Sequence, residues 1–423
     1  MTFPFHKHTK RQAPAAGVRL LFLVTLLLGL AASACRGASP GQAAAEQRVY
    51  AFVSNGGSHS VSVVDVAARQ VVATVPVGRS PTDVRAHPQR PEVYVVASES
   101  NQVVVLDARS RKVVARIRVG VRPFFVNFAP DGARAYVANS GSNTVSVIDC
   151  RRRRLQATVR VGRAPVLARV SPDGRWVVVT NRADSSVSLL ATDSLQLVAT
   201  IPVAEAPEAI AILPDSSKAF VTASARGQVS VVDLRRRRLL GNIPVGQTPV
   251  ALALKPDGGE LFVANFDSHT VTVINTWTND VAETLPSGRQ PVRLLITADG
   301  SWLYVTHFGS NQVFLVQTAT RRVLGTIPVG YQPDAMALTP DEETLLVAHA
   351  GSNDLAMIGT GDRALATLIP LGLTPRAIAV KVVPAPPAAT SQTLPGAQQT
   401  VLESSHERTL PPVRREKGAA HPQ

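Results

Sequence analysis

The sequence predicts an all-β fold, an eight-bladed β-propeller with four strands in each blade, and three observations lead to this prediction. A proline recurs at 42-residue intervals without an insertion. Valine-rich clusters of four to six residues alternate with Gly, Pro, Asn and Asp, which is strand composition. The two ends of the repeated region carry complementary sets of strands. A period of about 40 to 45 residues with four strands is typical of propeller blades.

The repeat is regular in both spacing and residue type. Its eight copies of 42 residues cover the chain from Arg48 to Val383. In seven copies a glycine lies three residues before the repeated proline, and Ala204 replaces it in the remaining copy. The repeated prolines are Pro81, Pro123, Pro165, Pro207, Pro249, Pro291, Pro333 and Pro375.

The copy that begins at Pro249 shows the four strands expected of a blade. We expect strand A over 250–254, strand B over 260–264, strand C over 270–274 and strand D over 282–286. Pro256-Asp257-Gly258 forms the A–B turn, where glycine supplies a positive φ. Helix is expected almost nowhere outside the N-terminal segment, because apolar residues at helical spacing are missing from the rest of the sequence.

Proline placement assigns strand D to the outer edge of the blade. Proline lacks the N–H that a central strand requires, so within a sheet it belongs on an edge or at a strand end. Six copies have proline late in strand D, at Pro76, Pro202, Pro244, Pro286, Pro328 and Pro370.

The phase of the repeat predicts how the ring closes. The repeated region begins with strands B, C and D over 49–77 and ends with a single strand A over 376–380. We therefore expect the last strand to complete the first blade. A β-solenoid is the alternative architecture, but it would not need complementary ends.

Several strand segments resemble the YVTN family of β-propeller repeats. The resemblance covers about 336 of the 423 residues and implies the propeller fold. It leaves function open, because that family includes surface-layer proteins, envelope binding proteins and members of unknown role. The matching segments are Ala135-Tyr136-Val137-Ala138-Asn139, Trp176-Val177-Val178-Val179-Thr180-Asn181, Tyr304-Val305-Thr306-His307, Ser146-Val147-Ile148-Asp149, Ile201-Pro202-Val203 and Val245-Gly246.

The N-terminus has the three-part pattern of a secretory signal over 1–34. A basic stretch ends at Arg19, an apolar run follows, and small residues lead to Cys35. The segment before Cys35 resembles a bacterial lipobox, with Ala32 where leucine is usual. We therefore expect lipidation of Cys35, with ordinary cleavage near Ala34 as the alternative. A lipid anchor would hold the protein at a membrane, and the resemblance implies an outer-membrane lipoprotein that faces the periplasm or the exterior.

The segments on either side of the propeller are predicted to lack a core. Residues 35–47 would form a tether after the lipidated cysteine, and 48–383 would form the propeller. Residues 384–423 are rich in Pro, Ala, Thr and Ser and contain no aromatic residue, so we expect a disordered tail. Cys150 is the one other cysteine, so no internal disulfide forms if Cys35 carries lipid.

The chain is strongly basic. Its formal net charge is +14, and the signal segment accounts for only four of these charges, which leaves +10 for the exported body. This favours anionic neighbours such as lipid headgroups or acidic polysaccharide. Nucleic acid is not expected as a partner, because the basic residues are not interleaved with aromatic side chains and the chain is exported.

One position departs from the repeat and indicates a binding site. The residue after each repeated proline varies in chemistry, and these residues should surround the mouth of the central channel, where a small polar or anionic ligand could bind. The alternative is that they are variable loop residues facing water. They are Thr82, Phe124, Val166, Glu208, Val250, Val292, Asp334 and Arg376, with Arg79, Arg122, Arg163 and Arg289 in nearby loops.

Four histidines are further candidates. His307 and His349 occupy a position that is asparagine in four other copies, whereas His59 and His269 share a second position in the B–C loop. All four should lie on one sector of one face. Equivalent positions on neighbouring blades are about 10 Å apart, too far for joint metal ligation. We expect solvated loop histidines, with metal or haem binding as the alternative.

The C–D turns should form a basic rim on the opposite face. We expect this rim to rest against an anionic envelope surface, with simple solubilising turns as the alternative. The residues concerned are Arg69, Arg109, Arg111, Lys112, Arg151, Arg152, Arg153, Arg154, Arg235, Arg236, Arg237, Arg238, Arg321, Arg322 and Arg363.

No catalytic motif was found. The sequence has no GxSxG elbow, HExxH helix, phosphate-binding glycine loop or cysteine cluster. We therefore predict a cell-envelope binding or scaffold protein without enzymatic activity or cofactor, which presents its loops to an envelope protein, a polysaccharide or a small ligand. The alternatives are a periplasmic propeller that binds a modified haem or a metal, a lactonase-like enzyme, and a purely structural surface component.

Overall fold

Each copy of the repeat folds into one antiparallel sheet of four strands. The structure is a computed structural model, and it describes residues 47–384. Eight such sheets form the eight blades of an all-β propeller, which confirms the predicted fold class. The predicted signal segment, Cys35, most of the tether and the tail lie outside the described residues.

The A strands form the inner edge of the blades and the B strands pair with them. The A strands are β4 (Pro81–Ala86), β8 (Pro123–Phe128), β12 (Pro165–Val170), β16 (Pro207–Ile212), β20 (Pro249–Leu254), β24 (Pro291–Ile296), β28 (Pro333–Leu338) and β32 (Pro375–Pro384). The B strands are β1 (Gln47–Asn55), β5 (Glu92–Ala97), β9 (Arg134–Asn139), β13 (Trp176–Asn181), β17 (Lys218–Ala223), β21 (Glu260–Asn265), β25 (Trp302–His307) and β29 (Thr344–His349).

The C and D strands complete each blade outward. The C strands are β2 (Ser60–Asp65), β6 (Gln102–Asp107), β10 (Thr144–Asp149), β14 (Ser186–Ala191), β18 (Gln228–Asp233), β22 (Thr270–Asn275), β26 (Gln312–Gln317) and β30 (Asp354–Gly359). The D strands are β3 (Gln70–Pro76), β7 (Lys112–Arg118), β11 (Arg154–Arg160), β15 (Leu197–Pro202), β19 (Arg238–Pro244), β23 (Asp280–Pro286), β27 (Arg322–Pro328) and β31 (Leu365–Pro370). The only helices within 47–384 are two short 3₁₀ turns, Ser98–Ser100 and Arg182–Asp184.

The ring closes as the phase of the repeat predicts. Strand β32 pairs antiparallel with β1, with Val383 opposite Arg48 and Ala379 opposite Phe52, so the first blade contains both ends of the repeated region. The A strands of neighbouring blades also contact one another all the way round, including β32 against β4 and β28. The A strands therefore surround a central channel.

The core consists of apolar clusters between neighbouring blades. The B and C strands are buried almost throughout, whereas the D strands are largely exposed. In the cluster between the second and third blades, for example, Tyr94 and Val96 pack with Val126, Val137 and Ile148. Each blade therefore buries both faces of its two middle strands, which explains their continuous valine-rich sequences.

The repeated glycine makes room for the side chain at the end of strand B. A Cβ on Gly120 would lie 2.7 Å from Cγ of Asn139, whose Nδ2 donates hydrogen bonds to Thr144 and Ser146. Ala204 breaks the glycine pattern in the copy where strand B ends in Ala223 instead of asparagine. The smaller partner explains why the methyl group of alanine is tolerated there.

Within residues 47–384, no helix has the length and apolar content needed to cross a membrane.

Candidate functional site

The channel wall is built from the free edges of the A strands. Each A strand is the last strand of its sheet, so its inward N–H and C=O groups have no strand partner and need other ones. Side chains of the preceding blade supply some of these partners. Asp83 Oδ2 accepts from the N–H of Val126 at 3.1 Å, and Asn127 Oδ1 accepts from that of Val170 at 3.0 Å. The wall of blades two to four is therefore polar.

Two arginines project from equivalent positions in this polar sector. Arg85 on β4 forms an ion pair with Asp83 at 3.3 Å, and its guanidinium carbon lies 4.5 Å from the ring centroid of Phe125. Arg169 on β12 is partly exposed, but its Nε is buried and has no hydrogen-bond partner. Burial and the charge of Arg85 lower the pKa of Arg169 to about 10. Within the described residues, Arg169 forms no ion pair, so its positive charge is uncompensated.

The remaining blades present neutral and mostly small side chains at the position of Arg85 and Arg169, four residues after the repeated proline. Ala211, Ala253 and Ala379 at this position are buried in the apolar clusters between blades, so Arg85 and Arg169 are the charged side chains of this position within the described residues. The neutral residues are Asn127, Ala211, Ala253, Leu295, Ala337 and Ala379.

Several residues of the predicted ring at the channel mouth contact one another across neighbouring blades, and some of their charges form ion pairs. Asp334 lies 3.3 Å from both Arg293 and Arg376, which brings together three neighbouring blades. Glu208 lies 3.2 Å from Arg182. Asp334, Arg376 and Glu208 each have an ion-pair partner, which makes them weaker candidates for binding a charged ligand than Arg169.

The other residues of the predicted ring form an uncharged part of the mouth. Thr82 donates a hydrogen bond to the carbonyl oxygen of Phe124 at 2.9 Å, and the Phe124 side chain is 47% exposed. The residues that follow the repeated proline in three further blades are valines, all partly exposed: Val166, Val250 and Val292.

The loop arginines lie on the same face, with different partners. Arg163 pairs with Asp184, and Arg79 donates to the carbonyl oxygen of Glu99 at 3.3 Å. Arg122 and Arg289 are exposed. Arg79, Glu99 and Arg122 also line a cleft of about 440 Å³ between the second and third blades.

His59 and His269 connect neighbouring blades. Each has a positive φ of 58°, and its Nδ1 accepts a hydrogen bond at 3.2 Å from a backbone N–H of the next blade, that of Ser80 or Gln290. Asparagine makes the same contact in four other blades, at Asn101, Asn143, Asn311 and Asn353. The exposed histidines therefore replace a structural asparagine.

His307 and His349 are not solvated loop residues, which corrects the prediction made from the sequence. Both end a B strand and are fully buried. Burial lowers the pKa of His307 to about 4, and its Nε2 lies 2.6 Å from Ser287 Oγ. Burial also lowers the pKa of His349, whose Nδ1 lies 2.5 Å from Asp354. The reason is that their position, asparagine in other copies, belongs to the strand and packs against the repeated glycine.

His87, a residue that sequence reasoning missed, lies just after β4. Its Nε2 lies 2.8 Å from the carbonyl oxygen of Gly132, and its Nδ1 accepts from the N–H of Arg90 at 2.9 Å. The backbone carbonyl of His87 accepts a hydrogen bond from Lys381, and burial lowers the pKa of that lysine. Both ring nitrogens are thus occupied. Among residues 47–384, no group of three His, Cys, Asp or Glu side chains is placed to hold a metal ion.

Arg169 was also missed, although the sequence contains a signal for it. The departures from the repeat that predict a channel-mouth site lie directly after each repeated proline. At the position three residues further along, two of the eight copies have arginine, whereas the others have alanine, leucine or asparagine. Applying the same test along the whole A strand would have identified Arg85 and Arg169.

Several arginines of the predicted basic rim contact the preceding blade. Six C–D turns have arginine at the residue with positive φ, and in five of them it contacts the strand-B residue that lies 61 positions earlier, in the preceding blade. The five contacts are the ion pairs Arg153–Glu92 and Arg321–Glu260 and the cation–π pairs Arg111–Tyr50, Arg237–Trp176 and Arg363–Trp302.

The chain is similar to proteins whose names refer to haem. Residues 95–217 match the family described as "Cytochrome D1 heme domain". No curated protein matches the sequence. A solved structure described as the dihydro-heme d1 dehydrogenase NirN in complex with DHE has a TM-score of 0.67 and 16% identity, over 78% of this chain and 74% of that one.

Two further structures share the fold over most of their own length. Hydrazine synthase of Kuenenia stuttgartiensis has a TM-score of 0.55 and 22% identity, over 66% of this chain and 95% of that one. A protein of unknown function from Desulfotomaculum acetoxidans has a TM-score of 0.57 and 15% identity, over 69% of this chain and 99% of that one. At these identities the structural similarities establish the fold alone.

Proposed function

We propose that the central channel binds a haem-like tetrapyrrole through the acidic groups of that ligand. The observation that carries the proposal is Arg169, a partly exposed cation on the channel-lining strand β12 that has no counter-ion among the described residues. The family match over residues 95–217 and the fold shared with NirN favour this type of ligand over other anions of similar size.

An uncompensated guanidinium lowers the stability of the folded protein, so the fold itself gives no reason to keep it. Removing a charge from water costs several kcal/mol unless a partner compensates it. Arg85 increases the cost at Arg169, because the two like charges repel each other. A carboxylate that accepts two parallel hydrogen bonds from Arg169 would supply the missing charge.

The surroundings of Arg169 suit a flat apolar body. Arg85 and Phe125 already form a stacked pair in the same sector. A bound haem supplies redox chemistry at its iron, whereas this chain would supply charge compensation and an aromatic face. We therefore expect binding to depend more strongly on Arg169 than on the ion-paired residues of the channel mouth.

A binding titration tests the proposal. Purified protein is titrated with haem while the visible absorption and the heat of binding are recorded. Replacing Arg169→Met should weaken binding about tenfold to 100-fold, because a hydrogen bond to a charged group contributes about 1.5–3 kcal/mol. The matched control is Arg160→Met, which removes the same charge from the exposed strand β11 and should leave the affinity unchanged. Absence of binding, or equal affinity of wild type and Arg169→Met, would contradict the proposal.

A further inference from the structure

We infer that the protein docks on an anionic lipid bilayer through the C–D turns of its third and fifth blades. Four consecutive arginines occur at each of these turns, at residues 151–154 and 235–238, and we call the two sets together the arginine edge. The inference goes beyond the proposed function and is independent of it, because Arg169 and the channel take no part in the contact.

Half of these arginines already have a partner within the propeller. The third arginine of each set contacts strand B of the preceding blade. The second one pairs with the aspartate three residues before it, at 2.8 Å in the third blade and 3.4 Å in the fifth. The fold therefore accounts for these four side chains. Their partners are Glu92 for Arg153, Trp176 for Arg237, Asp149 for Arg152 and Asp233 for Arg236.

The other four arginines are exposed and form no ion pair with residues 47–384. The C–D turn of the blade between them contains one acid, Asp193. The aspartates of the A–B turns lie further inward, because those turns join the two inner strands of each blade. The arginine edge therefore presents positive charge to the solvent, which favours an anionic partner. The four exposed arginines are Arg151, Arg154, Arg235 and Arg238.

Apolar side chains accompany these charges, as docking at a lipid interface requires. The first three residues of the D strand include an exposed valine or leucine in seven of the eight blades, among them Leu155 and Leu240 beside the arginine edge. Trp277, in the C–D turn of the sixth blade, is 78% exposed. Arginine and tryptophan can place their polar ends among lipid headgroups and their apolar parts deeper. Because the apolar residues recur around the ring, the arginines select the edge that docks.

The start of the first strand favours a membrane over an acidic polysaccharide as the partner. Strand β1 begins on the face that carries the C–D turns, where Arg48 pairs at 3.6 Å with Asp65, the last residue of β2. Cys35, the expected lipidation site, lies twelve residues before Gln47. Lipid on that cysteine would keep this face near a bilayer. Stable anchoring commonly combines acyl chains with a polybasic patch, and the arginine edge supplies such a patch.

Vesicle binding by the full chain tests the inference. Protein is mixed with vesicles of phosphatidylcholine, with or without phosphatidylglycerol, and the bound fraction is measured by sedimentation. An acyl chain would contribute equally to both kinds of vesicle, so the ratio of the two affinities isolates the contribution of charge. We expect the anionic vesicles to bind at least about tenfold more tightly, and the difference to shrink as added salt screens the attraction.

Tryptophan fluorescence reports which face makes the contact. All three tryptophans of the chain lie on the side of the C–D turns: Trp277 in a turn, and Trp176 and Trp302 at the first residue of a B strand. Brominated lipids quench tryptophan fluorescence on contact. We therefore expect anionic vesicles that contain brominated lipid to quench the fluorescence, most strongly that of the exposed Trp277.

Two double variants with the same change of charge separate the arginine edge from the net charge. Arg151→Ser with Arg235→Ser removes one free arginine from each turn and leaves the contacts with the preceding blades intact. This variant should lower the ratio of affinities about tenfold to 30-fold, because each basic residue near an anionic surface contributes a similar attraction. The control is Arg118→Ser with Arg160→Ser, at the opposite ends of two D strands, which should leave the ratio unchanged.

Three results would overturn the inference. They are equal affinities of wild type for neutral and anionic vesicles, binding without quenching of the tryptophans, and an equal loss in the two double variants. Wild type that binds soluble polygalacturonate but neither kind of vesicle would assign the arginine edge to an acidic polysaccharide instead. None of these measurements involves porphyrin, so the proposed function is tested separately.

Discussion

Arg169 differs from other arginines of the A strands in its partners. Arg293 and Arg376 both form an ion pair with Asp334 from the blade between them, whereas Arg169 forms none with the described residues. Sequence reasoning can identify an arginine that breaks the repeat. It cannot tell that Arg293 and Arg376 meet an acid, because Asp334 comes from a neighbouring blade about 40 residues away.

The buried histidines show the same limit of prediction from sequence. The sequence placed His307 and His349 correctly in an asparagine position. It did not reveal that this position is the last residue of a strand and packs against the glycine of the preceding D–A loop. If strand B ended one residue earlier, the same histidine would lie in the loop and face water.

The low pKa of His307 predicts a pH-dependent stability. The folded state keeps the ring neutral down to about pH 4, whereas the unfolded chain takes up the proton near pH 6.5. Stability is therefore lost as the pH falls through this window, by about 1.4 kcal/mol per unit and at most about 3 kcal/mol.

Replacing His307→Asn should remove this component, because asparagine occupies the same position in four other blades. Free energies of unfolding of the two proteins between pH 7 and pH 4.5 test the prediction. An equal pH dependence in wild type and variant would show that His307 does not titrate in this range.

The strands and turns were the most predictable elements. Strands A, B and C of the copy that begins at Pro249 each differ from the prediction by one residue, and strand D by two. Valine-rich segments between proline and glycine turns determine these limits locally. The roles of the arginines within the C–D turns were not predictable, because those roles depend on contacts with the preceding blade.

Arg153 is expected to stabilise the protein by compensating Glu92. The Glu92 carboxylate is almost fully buried and lies 2.7 Å from Arg153, and the Tyr94 hydroxyl donates to it at 3.3 Å. Replacing Arg153→Ala leaves a buried carboxylate without its cation and should lower the free energy of unfolding by about 1–3 kcal/mol.

Urea denaturation measures this effect, with Arg151→Ala as the control from the same turn. Arg151 is exposed and forms no ion pair with the described residues, so its removal should change stability by less than about 0.5 kcal/mol. Equal effects of the two substitutions would show that the contact with Glu92 does not stabilise the fold. Any test of the predicted envelope-facing rim should therefore leave Arg153 and Arg237 in place.

The number of blades and the closure of the ring follow from the period and the phase of the repeat. Strand β32 joins β1 in the first blade, as the unequal ends of the repeated region required. The ring brings residues four positions after each repeated proline together around one axis, and no two of these residues are close in sequence. The fold was therefore predictable from the sequence, whereas the composition of the channel wall only became clear once the ring was closed.

In the whole molecule, we expect Arg169 to affect stability and ligand binding in opposite directions. If Arg169 is kept for a ligand, the empty fold bears the cost of its uncompensated charge. Residues kept for function often reduce stability in this way. A residue kept for the fold would raise stability, so its replacement would lower the unfolding temperature.

Thermal unfolding of wild type and Arg169→Met, each with and without porphyrin, tests this most directly. We predict that the variant without ligand unfolds at a higher temperature than wild type, with a gain of about 1–3 kcal/mol. Porphyrin should raise the unfolding temperature of wild type more than that of the variant, because the variant binds it more weakly. A variant that unfolds at a lower temperature than wild type without ligand would show that Arg169 serves the fold, and would contradict the assignment of the channel as the binding site.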